Sequence, residues 1–198
     1  RIPICSRSIT LEDGLTGDST KITRVFWRIV FRHTTRWQQI LDGMKAGDYL
    51  LIEFGINDGS TCSDKGRHVG PALFQADYVY LATAAKMKGV QAIFLTSTSA
   101  MDCTGTAVKP NRGFQAETAA AATMAGAPII QLTQLSAALY TSLGFCPNDG
   151  NFASTTTPVG KFFCDDHTHF ETAGAAQIAG VVAKALRDQK IGLAAYLK

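Results

Sequence analysis

Tyr49-Leu50-Leu51-Ile52-Glu53-Phe54-Gly55-Ile56-Asn57-Asp58-Gly59-Ser60 reads as a strand that runs into a turn. The run from Tyr49 to Phe54 is rich in aliphatic and aromatic residues, the composition of a strand buried on both faces of a parallel sheet. It stops at Gly55, and three small polar side chains follow: Asn57, Asp58 and Ser60. In open α/β sheets ligands bind beyond the carboxyl ends of the strands. Asn57 and Asp58 therefore fall where such a fold does its chemistry. The plainer reading is that Asn-Asp-Gly is ordinary turn chemistry.

Outward from this stretch, the chain after residue 35 alternates helices with strands. Arg36 to Leu41 reads as a short helix, broken by Gly43 and Gly47. Ala72 to Lys88 is a helix with Leu73, Ala76, Tyr80, Leu81 and Ala84 on its inner face, stopped by Gly89. Val90 to Thr96 is a second strand. Phe114 to Met124 is an alanine-rich helix ending at Gly126. Ala127 to Leu132 is a third strand, and Gln134 to Leu143 a helix stopped by Gly144. The last helix runs from about Thr172 to Arg187, with Ile178, Val181, Val182, Ala185 and Leu186 inward. This alternation predicts right-handed βαβ units, a central parallel sheet and helices on both faces. The expected class is α/β, a three-layer α/β/α sandwich. Residues 1–198 read as a single domain in which 1–35 are atypical.

Composition narrows the function. A chain of 198 residues can bury a sizeable core, and 46% hydrophobic with 18% charged residues describes a globular protein. No apolar run approaches the roughly 20 residues of a membrane span. The net charge is only +3. The basic cluster from Arg24 to Arg36, interleaved with Phe26, Trp27 and Phe31, fits a solvated face better than a nucleic-acid contact. No signal-peptide layout is visible, and Arg1 rather than Met opens the chain, which reads as a processed form or a fragment. A monomer is expected.

The five cysteines are Cys5, Cys62, Cys103, Cys146 and Cys164, with no CxxC pair to suggest a zinc cage. Cys146 and Cys164 flank a Gly/Thr/Asn/Pro-rich stretch that a disulfide would staple. Closing that loop of about 17 residues is worth about 3 kcal/mol in the chain-entropy model. Cys62 and Cys103 each follow a strand end and are expected to face each other. Both pairings point to an oxidising compartment; five buried free thiols in a cytosolic protein is the alternative.

A second cluster lies just before the last helix: Cys164-Asp165-Asp166-His167-Thr168-His169-Phe170. Asp166, three residues before His169, can fold back and accept from its Nδ1–H, leaving Nε2 as a general base. Two His and two Asp also suit a metal. A metallophosphatase, however, would want Gly-Asn-His-Asp where this chain has Gly-Ile-Asn-Asp, and only His33 and His68 remain as further ligands. Helix capping is the bland reading.

Gly55-Ile56-Asn57-Asp58 resembles the Gly-x-Asn-Asp block of the SGNH (GDSL-type) hydrolases. Asp166-His167-Thr168-His169-Phe170, leading into Ala173-Gly174-Ala175, is similar to the closing Asp-x-x-His block of that superfamily. Gly47-Asp48-Tyr49 and Asp-His-Thr-His look most like the rhamnogalacturonan acetylesterase branch. The resemblance covers roughly residues 36 to 190 and implies a flavodoxin-like fold and an ester hydrolase without cofactor or metal. A serine attacks the ester carbonyl, His169 takes its proton, Asp166 orients His169, and the Asn57 amide donates to the oxyanion. An amide donor suits that role, since one such donor is worth roughly 3–4 kcal/mol. His167 is expected to be dispensable.

The front of the chain departs from the family. Gly17-Asp18-Ser19-Thr20 matches the first block and makes Ser19 the candidate nucleophile; Ser60, Ser97 and Ser99 lack that context. Ile9 to Gly14, just before it, is too polar and short for the central strand that the family places there. The interval from Ser19 to Asn57 is also short for the elements expected within it. Alternatively, Ser6-Arg7-Ser8 looks like the family's second block, usually Gly-Arg-Ser, and the nucleophile strand lies upstream. The two readings exclude each other. The segment from Lys21 to His33 fits neither. The favoured function is a secreted carbohydrate acetylesterase acting on an acetylated polysaccharide such as a pectic one. The alternatives are a lipase or thioesterase of the same superfamily, and a catalytically dead remnant that binds glycan.

Overall fold

The computed structural model describes residues 22–25 (backbone only), 35–59, 68–147, 156–165 and 168–198. The chain gathers into two compact units, each assembled from segments far apart in sequence. Among the described residues, one comprises 22–25, 35–59, 68–97, Gly113–Gln131 and Ala195–Lys198; the other comprises Thr98–Arg112, 132–147, 156–165 and 168–194.

The first unit is built on a parallel sheet. Strands β1 (Ile22–Val25), β2 (Tyr49–Glu53), β3 (Gln91–Leu95) and β6 (Ile129–Ile130) lie in the order β1-β2-β3-β6. Tyr49 pairs with Ile22 on one side and with Gln91 on the other. Side chains alternate across a strand, and here both faces of β2 and β3 are buried. Leu50, Ile52, Phe54, Ala92 and Phe94 join one core cluster with Trp37 of α1 (Thr35–Gly43), Phe74, Tyr78 and Leu81 of α2 (Pro71–Met87), and Ala121 and Ala122 of α3 (Gln115–Ala125). Leu51, Ile93 and Leu95 point the other way and are buried too. A doubly covered parallel sheet is what the unbroken apolar runs require, and the α/β class read from the sequence is the class observed.

Three expectations change. The segment beginning at Lys21, which had no assignment, supplies β1: Ile22-Thr23-Arg24-Val25 pairs in parallel with Tyr49 to Ile52. Its β-branched residues suit a strand. The third predicted strand shrinks to Ile129–Ile130, because α4 (Leu132–Ser142) already begins at Leu132. Finally, α2 is turned relative to the predicted face. Phe74, Asp77, Tyr78, Leu81, Ala82 and Ala85 are buried, while Leu73 and Tyr80 are exposed. This helix is apolar nearly all round, so periodicity alone did not select its inner face.

The second unit holds α4, α5 (Pro158–Phe162) and α6 (Thr172–Asp188), with a two-stranded antiparallel hairpin, β4 (Cys103–Thr104) and β5 (Ala107–Val108). The hairpin and α5 were not anticipated. Tyr140, Phe145, Phe162, Phe163 and Phe170 form a cluster of ring contacts with centroids 4.8–6.1 Å apart. On α6, Ile178, Val182, Ala185 and Leu186 are buried as expected, and Val181 is half-buried. Thr141 Oγ1 on α4 accepts from the Val108 N–H at 2.9 Å, tying the hairpin to the helix.

A disulfide reinforces that tie. Cys103 is bonded to Cys146, with Cα atoms 5.6 Å apart. The pairing of Cys146 with Cys164 expected from the sequence is therefore wrong, as is that of Cys62 with Cys103. The hairpin, invisible to a composition argument, carries Cys103 to the turn after α4. Cys164 is disulfide-bonded as well, while Cys5 and Cys62 lie outside the described residues.

Phe94→Ala, which removes a fully buried ring packed 4.9 Å from that of Tyr78, should cost about 3–5 kcal/mol in urea unfolding. Met87→Ala, at a position 85% exposed, should stay within about 0.5 kcal/mol of the parent. Non-reducing peptide mapping should recover a Cys103–Cys146 peptide and no Cys146–Cys164 peptide. Cys103→Ser opens a crosslink between residues 43 apart, a loss of about 4 kcal/mol in the chain-entropy model.

Candidate functional site

β2 ends at Glu53, and the next two residues are held by side chains rather than by strand partners. The Phe54 N–H donates to Tyr78 Oη at 2.7 Å, and the Phe54 carbonyl accepts from Ser97 Oγ at 2.8 Å. Gly55 then turns with φ +118, a left-handed region that favours glycine. A Cβ there would lie 3.5 Å from both Ser97 Oγ and the Phe114 side chain. Phe114 itself has φ 60 and stacks on Phe74 with ring centroids 4.2 Å apart.

Beyond this turn Asn57 is exposed and Asp58 is 2% exposed. Asp58 Oδ2 accepts from the Gly55 N–H at 3.0 Å, and the Asp58 carbonyl accepts from the Val69 N–H at 3.0 Å. Asn57 thus follows the carboxyl end of β2 by four residues. Burial, reinforced by the negative charges of Glu53 and Asp58, pushes the Tyr78 phenol far above its ordinary value of 10.0, against the opposing hydrogen bonds of Phe54 and Thr118. Tyr78 is therefore a neutral anchor at ordinary pH.

In the other unit, the segment before α6 doubles back. Phe163 and Phe170 form an antiparallel bridge, the Cys164 N–H donates to the His169 carbonyl at 2.8 Å, and the Glu171 N–H donates to the Phe162 carbonyl at 2.9 Å. His169 is exposed at the tip of this bridge, two residues before Glu171 caps α6. Gly174 in the first turn of α6 fits against α5 so closely that a Cβ would overlap the Phe162 carbonyl oxygen and sit 2.8 Å from its ring. Asp165 is exposed, whereas Asp166 and His167 lie outside the described residues. So do Ser6, Ser19, His33 and Ser60. Ser97 and Ser99 are each 1% exposed and hydrogen-bonded to the backbone, which removes them as attacking groups. Among the described residues no three His, Cys, Asp or Glu side chains converge.

Sequence reasoning singled out Asn57 and His169 but missed Tyr78 and Ser97. These lie 24 and 43 residues from Phe54, and no local pattern marks such a partner.

The fold has solved counterparts. Protein YXIM from Bacillus subtilis matches with a TM-score of 0.67 and 27% identity, over 82% of this chain and 43% of that one. LAE5, an alpha/beta hydrolase enzyme from the metagenome of Lake Arreo, Spain, matches with a TM-score of 0.52 and 18% identity, over 76% of this chain and 64% of that one. A lipase/acylhydrolase from Enterococcus faecalis gives a TM-score of 0.45 and 16% identity, over 80% and 67%. The chain thus spans less than two thirds of the first two structures it matches. No family model matches the chain, and no curated protein does.

The raised Tyr78 phenol yields a pH prediction. Unfolded tyrosine ionises near 10 while folded Tyr78 does not, so its contribution to stability is complete below about pH 10 and is lost as pH rises. Unfolding free energy should fall above that pH by up to about 1.4 kcal/mol per unit. In Tyr78→Phe this component should vanish, with a loss of about 1–3 kcal/mol at neutral pH from the stranded Phe54 N–H. Denaturant titrations at pH 7 to 11.5 check both.

Proposed function

We propose that the chain is a serine ester hydrolase of the SGNH type, removing acetyl groups from a carbohydrate. The observation that carries the reading is the side-chain amide of Asn57. It stands exposed at the carboxyl end of a buried parallel strand, beside a carboxylate that is itself buried. An amide donor there suits an oxyanion, because it needs no proton and little reorganisation. His169, exposed ahead of α6 on a segment pinned by three backbone hydrogen-bonded or bridged positions, suits a general base. The description of LAE5 as a hydrolase enzyme agrees with this chemistry.

In the proposed reaction Ser19 Oγ attacks the acetyl carbonyl as its proton passes to His169 Nε2, with Asp166 orienting the imidazole. Asn57 donates to the oxyanion of the tetrahedral intermediate. Collapse breaks the ester bond, and the departing sugar oxygen takes the proton from His169. Water then attacks the acetyl-enzyme by the same route and frees acetate and Ser19. No cofactor or metal enters this scheme. The proposed location is extracellular, since the Cys103–Cys146 disulfide is at home in an oxidising compartment.

One observation favours a second reading, a non-catalytic glycan-binding version of the fold. The SGNH pattern leads into the nucleophile with an apolar strand. Here Ile9 to Gly14, the residues ahead of Ser19, are polar and few.

Hydrolysis of acetylated pectin and of 4-nitrophenyl acetate, set against the octanoyl ester, should show an acetyl preference. Asn57→Ala should lower kcat by about 10²–10³-fold and His169→Ala by about 10⁴-fold or more, with His167→Ala near the parent. A serine-directed phosphonate should label the parent and not Ser19→Ala. Activity that survives Ser19→Ala rules that serine out. A folded parent that neither turns over nor labels moves the reading to the glycan-binding alternative.

A further inference from the structure

We infer that Asp58 is a positioning residue, which turns the Asn57 amide outward by tying together the two ends of the loop that carries it. The inference rests on the reading of Asn57 as the oxyanion donor. Aspartate in an ordinary turn stays in water, but Asp58 is 2% exposed. Burying a carboxylate is costly unless donors reach it, and one donor is the Gly55 N–H at 3.0 Å. That bond closes the chain back on Gly55, two residues past the end of β2 and upstream of Asn57. Downstream, the Asp58 carbonyl receives the Val69 N–H at 3.0 Å, where the chain returns ahead of α2. Asp58 is therefore fixed on both sides, by its side chain to the strand exit and by its backbone to the helix entrance.

The point it is tied to is itself rigid. Phe54 is held by the Tyr78 hydroxyl and the Ser97 hydroxyl, and Gly55 packs beside Ser97 Oγ and Phe114. Asn57, one residue from Asp58, is exposed. An oxyanion donor works when its position is set before the reaction. With Asp58 unable to accept from Gly55, Asn57 should still bind substrate but donate to the transition state poorly. That signature is a fall in kcat with KM little changed.

The test is the series Asp58→Asn, Asp58→Ser and Asp58→Ala, measured with 4-nitrophenyl acetate and by NMR. Asn keeps an acceptor of the same length, Ser a shorter one, and Ala none. The expected order of kcat is parent, Asn, Ser, Ala, with Ala down on the order of tenfold or more and KM within about twofold. If Ala does not fold, the gap between Ser and Asn carries the comparison. Amide exchange at Gly55 should be slow in the parent and Asn variants and about tenfold faster in Ser and Ala. The Asn57 side-chain amide pair should collapse toward solvent-averaged shifts in the same two variants. Folded Ser and Ala variants with parental kcat, parental Gly55 exchange and unmoved Asn57 amide signals overturn the inference. A parent without turnover defeats the hydrolase reading instead, and the two NMR measurements then decide the role of Asp58 alone.

Discussion

The first unit depends on how the chain leaves its central strand. Phe54 lies one residue beyond β2 and is deeply buried, so its backbone N–H and carbonyl must find partners away from water. Tyr78 Oη and Ser97 Oγ provide them, one from α2 and one from the segment after β3. These bonds let the chain stop pairing as a strand without stranding a polar group. Gly55 can then adopt φ +118, and Asn57 comes out exposed with Asp58 folded in.

This arrangement explains a feature of α2 that hydrophobicity would not favour. A helix packed on a sheet seeks apolar residues, yet its inner face holds Tyr78 and Asp77. Tyr78 satisfies both demands. Its ring lies 4.8–6.0 Å from those of Phe54, Phe74 and Phe94, and its hydroxyl reaches the Phe54 backbone. An amphipathic ring with one polar tip suits a place where a core meets a strand end. The same preference turns Leu73 and Tyr80 outward.

The second unit positions His169 by other means. There the chain is fixed by a one-pair antiparallel bridge between two phenylalanines, by backbone hydrogen bonds on either side of it, and by the close approach of Gly174 to Phe162. Rings from α4, α5 and the bridge interlock below. The Cys103–Cys146 crosslink holds the hairpin to the turn that follows α4. His169 is thus an exposed residue on a backbone fixed by its neighbours.

The sequence by itself determined the α/β class, the strands at Tyr49 and Gln91, the helices between them, and the position of Asn57 in the loop after β2. Each is a local matter. Unbroken apolar runs bounded by glycine make buried strands, helical periodicity with glycine stops makes helices, and the carboxyl end of a parallel strand is a fixed direction. Only the tertiary structure decided the inner face of α2, the pairing of Cys103 with Cys146, the strand at Ile22–Val25, and the hold of Tyr78, Ser97 and Asp58 on the Asn57 loop. The face of α2 is set by packing because its composition is apolar all round. The disulfide follows from a hairpin that no composition reveals. The hold on Phe54 joins residues 24 and 43 positions away, and such partners are chosen by the folded backbone, not by their neighbours in the chain.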